Sequence, residues 1–418
     1  MKVLFFTTAY DPQMQVQVVH QEFLHHLQTL GCEVSILTSQ GGSSRGRGFL
    51  QEQVNSIPIR RYALRGGLYD EAWNRLSRHL FRYDGFLTIQ RRFRSYFRRF
   101  SRPDIIHIES AYPLGAVAAL AQRSVPIPYV ITVRGADLFN EPDARFGYAR
   151  YRVVRSLLRL AFRRSGAIRA TTPQTREIIL GYDAPPERVH LVPRNIRDDC
   201  FPDDIASFRE SARAEILEQH HVSPDSLVLV AAGRMLPIKG FDLLLQALPS
   251  VLAVVPRAVL ILCGPNRTDP IVGDYAGFLQ RLARKLGVHE QVVFSGQVPA
   301  GHFTRYLAAA DLAVISSIRE GSNKVLLEAA ALGTPFVATD TSGTGVFFRH
   351  PPGGIEVPAG DANALAQAMR ALLLDADRRQ TLGWNAYQSS ARFRSVQVAQ
   401  QMFDLYRWVL EHPRDGGH

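Results

Sequence analysis

One stretch constrains this chain more than any other: Asp311 to Asp340, DLAVISSIREGSNKVLLEAAALGTPFVATD. Short apolar runs of β character, Leu312–Ile315 and Phe336–Ala338, bracket a run of strong helix formers, which predicts one strand–loop–helix–strand unit. Two strands joined through a helix lie parallel, so the fold is built around a parallel sheet covered by helices. Gly321 permits a close backbone approach in the loop, and Ser322 or Asn323 is placed to cap the helix. Such a helix start offers free N–H groups to phosphate or sugar oxygens. Glu320 in the loop and Glu328 about two turns into the helix are placed to face one ligand. Surface carboxylates are common, but the Ala-Ala-Ala-Leu-Gly-Thr-Pro that follows Glu328 packs a helix tightly to its sheet.

The same alternation runs through the whole chain. In residues 1–195, Val3–Thr7, Val34–Thr38, Ile105–Ile108, Tyr129–Val133 and Ala167–Ala170 read as strands, with a helix from about Val18 to Leu30. The segment Val189 to Asp204, rich in proline and polar residues, reads as a linker. Beyond it the strands are Leu227–Ala231, Ala258–Cys263, Val292–Ser295, Leu312–Ile315 and Phe336–Ala338. Helices are expected around Asp242–Val254, Tyr275–Leu286, His302–Ala310 and Asn323–Leu332. The fold class is therefore α/β, with domains at 1–195 and 196–390 and a terminal helix in 391–418 around Val396–Leu410. Ligands of doubly wound sheets bind beyond the carboxyl ends of the strands, and the cleft between two such domains is the expected active site.

Charge is distributed unevenly. Residues 1–200 hold 29 Lys+Arg against 17 Asp+Glu, and the remainder 20 against 21, so the positive excess belongs to the first domain. That domain is expected to meet an anionic partner. In the arginine-rich segment Trp73 to Arg102, Phe93, Tyr96, Phe97 and Phe100 share one helical face and Arg91, Arg94, Arg98 and Arg102 another. The aromatic face suits docking on the sheet. The arginines are either a solvated face or a contact with anionic lipid headgroups. No nucleic-acid module is recognisable. Three scattered cysteines, Cys32, Cys200 and Cys263, support neither a disulfide framework nor a metal site. The apolar run in MKVLFFTTAYD is too short for a signal peptide, and no run approaches the roughly 20 apolar residues of a membrane span. The expectation is a cytoplasmic protein that touches a membrane without crossing it.

A second motif, Gly233-Arg234-Met235-Leu236-Pro237-Ile238-Lys239-Gly240, follows the first strand of the second domain. Arginine forks two phosphate oxygens and lysine adds a mobile point charge, a combination suited to a diphosphate. Of only four lysines, Lys239 and Lys324 fall in the candidate loops. Neither a Walker loop nor a dinucleotide fingerprint is present.

Taken in order, Gly-Arg…Lys-Gly, Leu-Cys-Gly-Pro, Val-Val-Phe-Ser-Gly, Ala-Asp-Leu-Ala-Val-Ile-Ser-Ser and Glu-x7-Glu-Ala-x-Ala-Leu-Gly-Thr-Pro cover nearly all of residues 225–370. This series resembles the retaining GT-B glycosyltransferases of family 4; the first domain matches in layout more than in residues. The resemblance implies two Rossmann-like domains facing across a cleft, with a terminal helix crossing back onto the first. It further implies a nucleoside-diphosphate sugar bound mainly by the second domain, and neither metal nor cofactor. Carried over by position, Arg234 and Lys239 would hold the diphosphate and Glu320 the hydroxyls of the transferred sugar. Gly233 and the backbone of Gly321, Ser322, Asn323, Lys324 and Val325 would lie beside sugar and phosphate, and Glu328 would hold the ribose. The implied activity is sugar transfer, with retained configuration, to a glycan or lipid-linked acceptor. A relative that keeps nucleotide-sugar affinity but acts as a scaffold or regulator is the alternative, and epimerisation of the donor sugar a third.

Departures from the family pattern lie mostly in the first domain. Asp11-Pro12-Gln13-Met14-Gln15-Val16 stands where many relatives carry Gly-Gly, and Arg134-Gly135-Ala136-Asp137 where His-Gly-x-Asp is common. Arginine cannot serve as a general base, so Arg134 either anchors an anion or pairs with Asp137. Glu109 is a candidate acceptor contact with Arg134 and Asp137, and His107, inside an apolar run, reads as a packed core residue. Thr341-Ser342-Gly343-Thr344-Gly345 lacks the glutamate common there, leaving its glycines to shape a loop.

Overall fold

The computed structural model describes residues 1–10, 15–40, 48–64, 70–133, 135, 137–140, 147–265 and 273–414, with backbone alone at 15–20, 70, 300 and 342. Arg134, Ala136 and the Asp11–Met14 part of the first loop lie outside the described residues. The chain forms two compact units, Met1–Arg194 with Ser395–His418, and Asn195–Arg394.

The first unit contains β1 Lys2–Phe6, β2 Glu33–Ser39, β3 Phe49–Val54, β4 Ile57–Tyr62, β5 Ile105–Ile108, β6 Tyr129–Thr132, β7 Ala167–Ala170 and β8 Val189–Leu191. Among the described residues they make one sheet in the order β3-β4-β2-β1-β5-β6-β7-β8, parallel except for the β3–β4 pair. β5, β6 and β7 are buried along their whole length, because helices cover both faces and leave no side for polar residues. The helix Ser395–Glu411 returns to this unit. Its Val398, Met402 and Tyr406 pack with Phe23 and Leu27 of the helix Gln15–Thr29 and with Val3 and Phe5 of β1.

The second unit contains β9 Leu227–Ala232, β10 Ala258–Cys263, β11 Val292–Gly296, β12 Leu312–Ile315, β13 Phe336–Thr339 and β14 Gly354–Val357. The order β11-β10-β9-β12-β13-β14 is wholly parallel. Both units are thus doubly wound α/β sheets, with the terminal helix crossing back as expected.

Three readings of the sequence need correction. The segment expected as a linker from Val189 begins with the edge strand β8, paired to β7 from Val189 to Leu191. The β3–β4 hairpin and β14 were not expected at all. β3 lacks a buried run, since its residues are exposed or only half-buried, and β14 is a short edge strand with no apolar block. Finally, the basic helix spans Phe86–Arg99 and stops at an extended Phe100, so Arg102 does not share its face.

Candidate active site at the switch point of the second sheet

Strand order in the second sheet reverses between β9 and β12, so the loops leaving these neighbouring strands diverge and open a crevice at their carboxyl ends. The loop after β9 carries Gly233 to Gly240, and the loop after β12 carries Ser316 to Asn323. They are stitched together. A 3-10 turn over Pro237–Lys239 ends at Gly240, whose φ of 62° is left-handed and whose added Cβ would lie 2.1 Å from the Ser316 carbonyl oxygen. Only glycine fits both demands. Ser316 Oγ donates to the Lys239 carbonyl at 3.0 Å, and Ile318 N donates to the Ile238 carbonyl at 2.9 Å. On the other side, a Cβ at Gly264 would sit 1.9 Å from the Gly233 carbonyl oxygen, so the ends of β9 and β10 close up without side chains.

The stitching brings together residues 81 positions apart in the chain: Lys239 Nζ forms an ion pair with Glu320 Oε1. Both side chains keep some exposure, 19% for Lys239 and 12% for Glu320, so the pair is open at one side. Glu320 Oε1 also accepts from Ser317 Oγ at 2.8 Å and Asn323 Nδ2 at 3.3 Å, which fixes the carboxylate. Asn323 caps the helix Lys324–Ala331, its Oδ1 accepting from Leu326 N at 3.0 Å, while its own N–H donates to Thr344 Oγ1 at 2.8 Å. Arg234 is exposed and has no ion pair among the described residues. An ammonium and the start of a helix therefore meet at one crevice, and the loop that brings the ammonium also carries the exposed guanidinium of Arg234, a set of charges that suits a diphosphate.

Deeper in, Glu328 is 2% exposed and pairs with Lys324 at 3.1 Å, one helical turn back. Arg197 is 1% exposed, and its Nε donates to Asp199 Oδ1 at 2.7 Å. Burial works to lower the Arg197 guanidinium; the hydrogen bond and charge of Asp199, aided by Glu328, outweigh it and hold the group above the ordinary arginine value. Burial, reinforced by Glu328 and Asp199, pushes the Cys200 thiol well up, so it stays protonated and inert.

The sequence reading did not find Ser317, Thr344 or Arg197. Ser317 stands two residues beyond the end of a buried strand, a position from which a hydroxyl reaches the next loop, and that was the available signal. Thr344 sits in a loop expected to act through its glycines. Arg197 falls in the stretch taken for a linker.

In the first unit Asp137 and Glu109, two of the three residues expected at the acceptor, are engaged within the protein, and the third, Arg134, lies outside the described residues. Asp137 is 3% exposed and its Oδ2 accepts from Ala111 N at 2.7 Å. Glu109 is 6% exposed, with Oε1 3.3 Å from His107 Nε2. His107 is a core residue: fully buried, stacked on Phe5, and bonded to Thr132 Oγ1 at 2.7 Å and to the Tyr406 hydroxyl of the terminal helix. On the basic helix, Phe93, Tyr96 and Phe97 are buried, whereas Arg91 and Arg98 are exposed. Arg94 departs from its expected place on a free face, because its Nη2 donates to the Leu120 carbonyl at 3.1 Å beside the end of the helix Ala116–Ala121. Among the described residues no cluster of three His, Cys, Asp or Glu residues could hold a metal ion, and no helix is long and apolar enough to cross a membrane.

Comparison with known proteins gives this geometry a context. Residues 212–389 match the family described as glycosyl transferases group 1, and residues 16–195 the glycosyl transferase 4-like domain. A D-inositol 3-phosphate glycosyltransferase of Catenulispora acidiphila is 30% identical over 325 residues, 74% of this chain and 73% of its own. A Bacillus subtilis glycosyltransferase named for teichuronic acid biosynthesis, TuaC, is 26% identical over 387 residues, 88% of each chain. Against other relatives the match is shorter, and this chain spans 55% of the length of the D-inositol 3-phosphate glycosyltransferase of Thermobispora bispora, at 30% identity. Among solved structures, Anabaena Alr3699/HepE in complex with UDP and glucose shares the fold, with a TM-score of 0.73 at 18% identity over 97% of this chain and 98% of that one.

Proposed function

The chain belongs to the GT-B glycosyltransferases, and from that premise we propose a retaining, metal-independent enzyme that moves a sugar from a nucleoside-diphosphate sugar to a glycan or lipid-linked acceptor. Cell-surface polysaccharide or glycolipid synthesis is the proposed setting, in keeping with a relative named for teichuronic acid biosynthesis. The observation that carries the reading is the Lys239–Glu320 pair, its carboxylate held by Ser317 and Asn323 at the switch point, with Arg234 in the same loop as Lys239.

In this mechanism Arg234 and Lys239 hold the donor diphosphate and offset the negative charge that grows on it as the glycosidic bond breaks. Lys239 exchanges its contact with Glu320 for phosphate oxygens, and Glu320, still held by Ser317 and Asn323, accepts from hydroxyls of the transferred sugar. Gly233 keeps side chains away from the diphosphate. The backbone from Gly321 through Val325 lines the sugar and phosphate, the helix start directing N–H groups at oxygen. Glu328 holds the ribose once Lys324 turns from it toward phosphate. The acceptor hydroxyl attacks on the face from which the diphosphate leaves, its proton passing to the leaving oxygen, so configuration is retained without a paired carboxylate.

For the acceptor side, Arg134 would anchor an anionic group, with Asp137 and Glu109 shaping the strand ends behind it. The basic first unit would hold the protein at the cytoplasmic face of an anionic membrane, through Arg91 and Arg98 rather than Arg94. Nucleic acid is not a partner in this reading.

The test is a panel of UDP-, GDP- and ADP-sugars, scored by thermal shift and by nucleotide release. Binding at a hundred times Kd stabilises a protein by about 2.7 kcal/mol, a readily measured shift. One stabilising donor that is also turned over supports transfer. Stabilisation without release, even with cell-envelope lipid extract added, would instead make the chain a nucleotide-sugar-binding scaffold.

A further inference from the structure

The helix Asp70–Phe81 is inside out. Trp73, Leu76 and Leu80, spaced three and four residues apart on one stripe, are 45%, 43% and 47% exposed. The stripe turned toward the protein carries polar residues over most of its length: Asn74 and Ser77 are 7% and 0% exposed, and only at its end does the half-buried Phe81 pack on Phe86. These two are fully employed. Asn74 Nδ2 donates to the Leu64 carbonyl at 3.2 Å and its Oδ1 accepts from Thr88 Oγ1 at 3.1 Å, while Ser77 Oγ accepts from Leu87 N at 3.1 Å. The helix is therefore locked in this rotation, and its apolar stripe is left about half exposed among the described residues. Scattered exposed apolar residues are ordinary, but a contiguous stripe on one helix marks a contact surface.

Charge decides what the contact is. Exposed Arg75, Arg78, His79 and Arg82 flank or follow the stripe, and Arg91 and Arg98 are exposed on the neighbouring helix Phe86–Arg99. The acids of this stretch are Asp70 and Glu71, both at the helix start ahead of the stripe, and Asp84, which is paired with Arg78 at 3.2 Å. Two copies of the chain meeting through this face would set like charges against each other. An anionic bilayer surface offers both complements at once, an apolar layer for Trp73, Leu76 and Leu80 and headgroup phosphates for the guanidiniums. Tryptophan is the side chain that best suits that boundary.

We propose that the helix Asp70–Phe81 lies in the interface of an anionic membrane, with Trp73, Leu76 and Leu80 inserted below the headgroups. This deepens the lipid-linked reading of the function and rests on it for its purpose, though not for its test. The arginines bring the chain to the surface, and the apolar stripe holds it there.

The chain has three tryptophans, so replacing Trp384 and Trp408 by Phe leaves Trp73 as sole reporter. Vesicles of phosphatidylcholine with about one-third phosphatidylglycerol should shift its emission to the blue, and brominated acyl chains should quench it; pure phosphatidylcholine should do far less. In the otherwise unchanged chain, Leu76→Gln with Leu80→Gln should weaken co-sedimentation with the mixed vesicles about tenfold or more. Nucleotide release from donor without vesicles should stay at the wild-type rate. An unshifted Trp73, a loss of binding under twofold, or a blue shift that follows protein concentration without lipid would overturn the proposal, the last pointing to self-association. Loss of donor turnover in the wild-type chain with vesicle binding intact would sink the transferase reading and leave this one standing.

Discussion

Gly240 shows how narrowly the site is specified. Its left-handed φ and its contact with the Ser316 carbonyl are what place Lys239 opposite Glu320. A non-glycine residue in that conformation costs about 1–2 kcal/mol before any clash is counted. Gly240→Ala should therefore lower the urea midpoint and also slow donor turnover, since the loop must move to relieve the contact. A variant with wild-type stability and rate would show that the stitching does not matter. Thr344→Val removes the acceptor for Asn323 N–H while keeping the shape; with a buried donor left unpaired, a loss of about 1–3 kcal/mol is expected in chemical denaturation. The cysteines supply a third check. Burial pushes the Cys263 thiol up to about 12, the Cys32 thiol upward and the Cys200 thiol well up. At pH 8 the native protein should react slowly with a thiol reagent at all three positions, and rapidly once unfolded; fast labelling of any native cysteine would contradict their burial. At this scale the sequence was informative where a residue type has one dominant use. Asn323 as a cap and His107 as a core residue were both legible. Ser317 and Thr344 were not, because a hydroxyl gives no sign of which distant group it will bond.

Among the elements, strands buried on both faces were legible, and of the edge strands only β11, with its Val-Val-Phe start, was. β5, β7, β10 and β12 occupy the expected residues, since a sheet covered on both sides demands unbroken apolar runs. β3, β8 and β14 are edge or near-edge strands whose sequences carry little apolar periodicity. The terminal helix brings a pH dependence to this scale. His190 of β8 packs edge-on against Trp408 at 4.7 Å, and burial, with Arg188 nearby, lowers its pKa below the ordinary 6.5. The unfolded chain thus takes up this proton first as the solution is acidified. The contribution of neutral His190 is intact above about pH 6.5 and fades as the pH falls toward the lowered folded value. Thermal denaturation should show a smaller loss of Tm between pH 7.5 and 5.5 for His190→Gln than for the wild type; an equal loss would place the acid sensitivity elsewhere.

For the whole molecule, two doubly wound units followed from the repeated alternation of strands and helices, and the order of motifs in residues 225–370 pointed to the family. The surface features were harder to foresee. The basic excess of the first half led to the expectation of an anionic partner, but gave no sign that Arg94 is spent on the Leu120 carbonyl, nor that Trp73, Leu76 and Leu80 turn outward while Asn74 and Ser77 turn in. Periodicity shows that a helix has two faces; which one meets the protein is decided by neighbours distant in sequence.

The decisive experiment compares nucleotide release from the best-stabilising donor by the wild-type chain, Lys239→Ala and Glu320→Gln, with donor affinity followed in parallel. Loss of an electrostatic stabiliser costs on the order of a hundredfold or more in rate, so both variants should fall at least that far while Glu320→Gln still binds donor. Near-normal rates in both variants would mean that the pair at the switch point is not where the sugar is transferred.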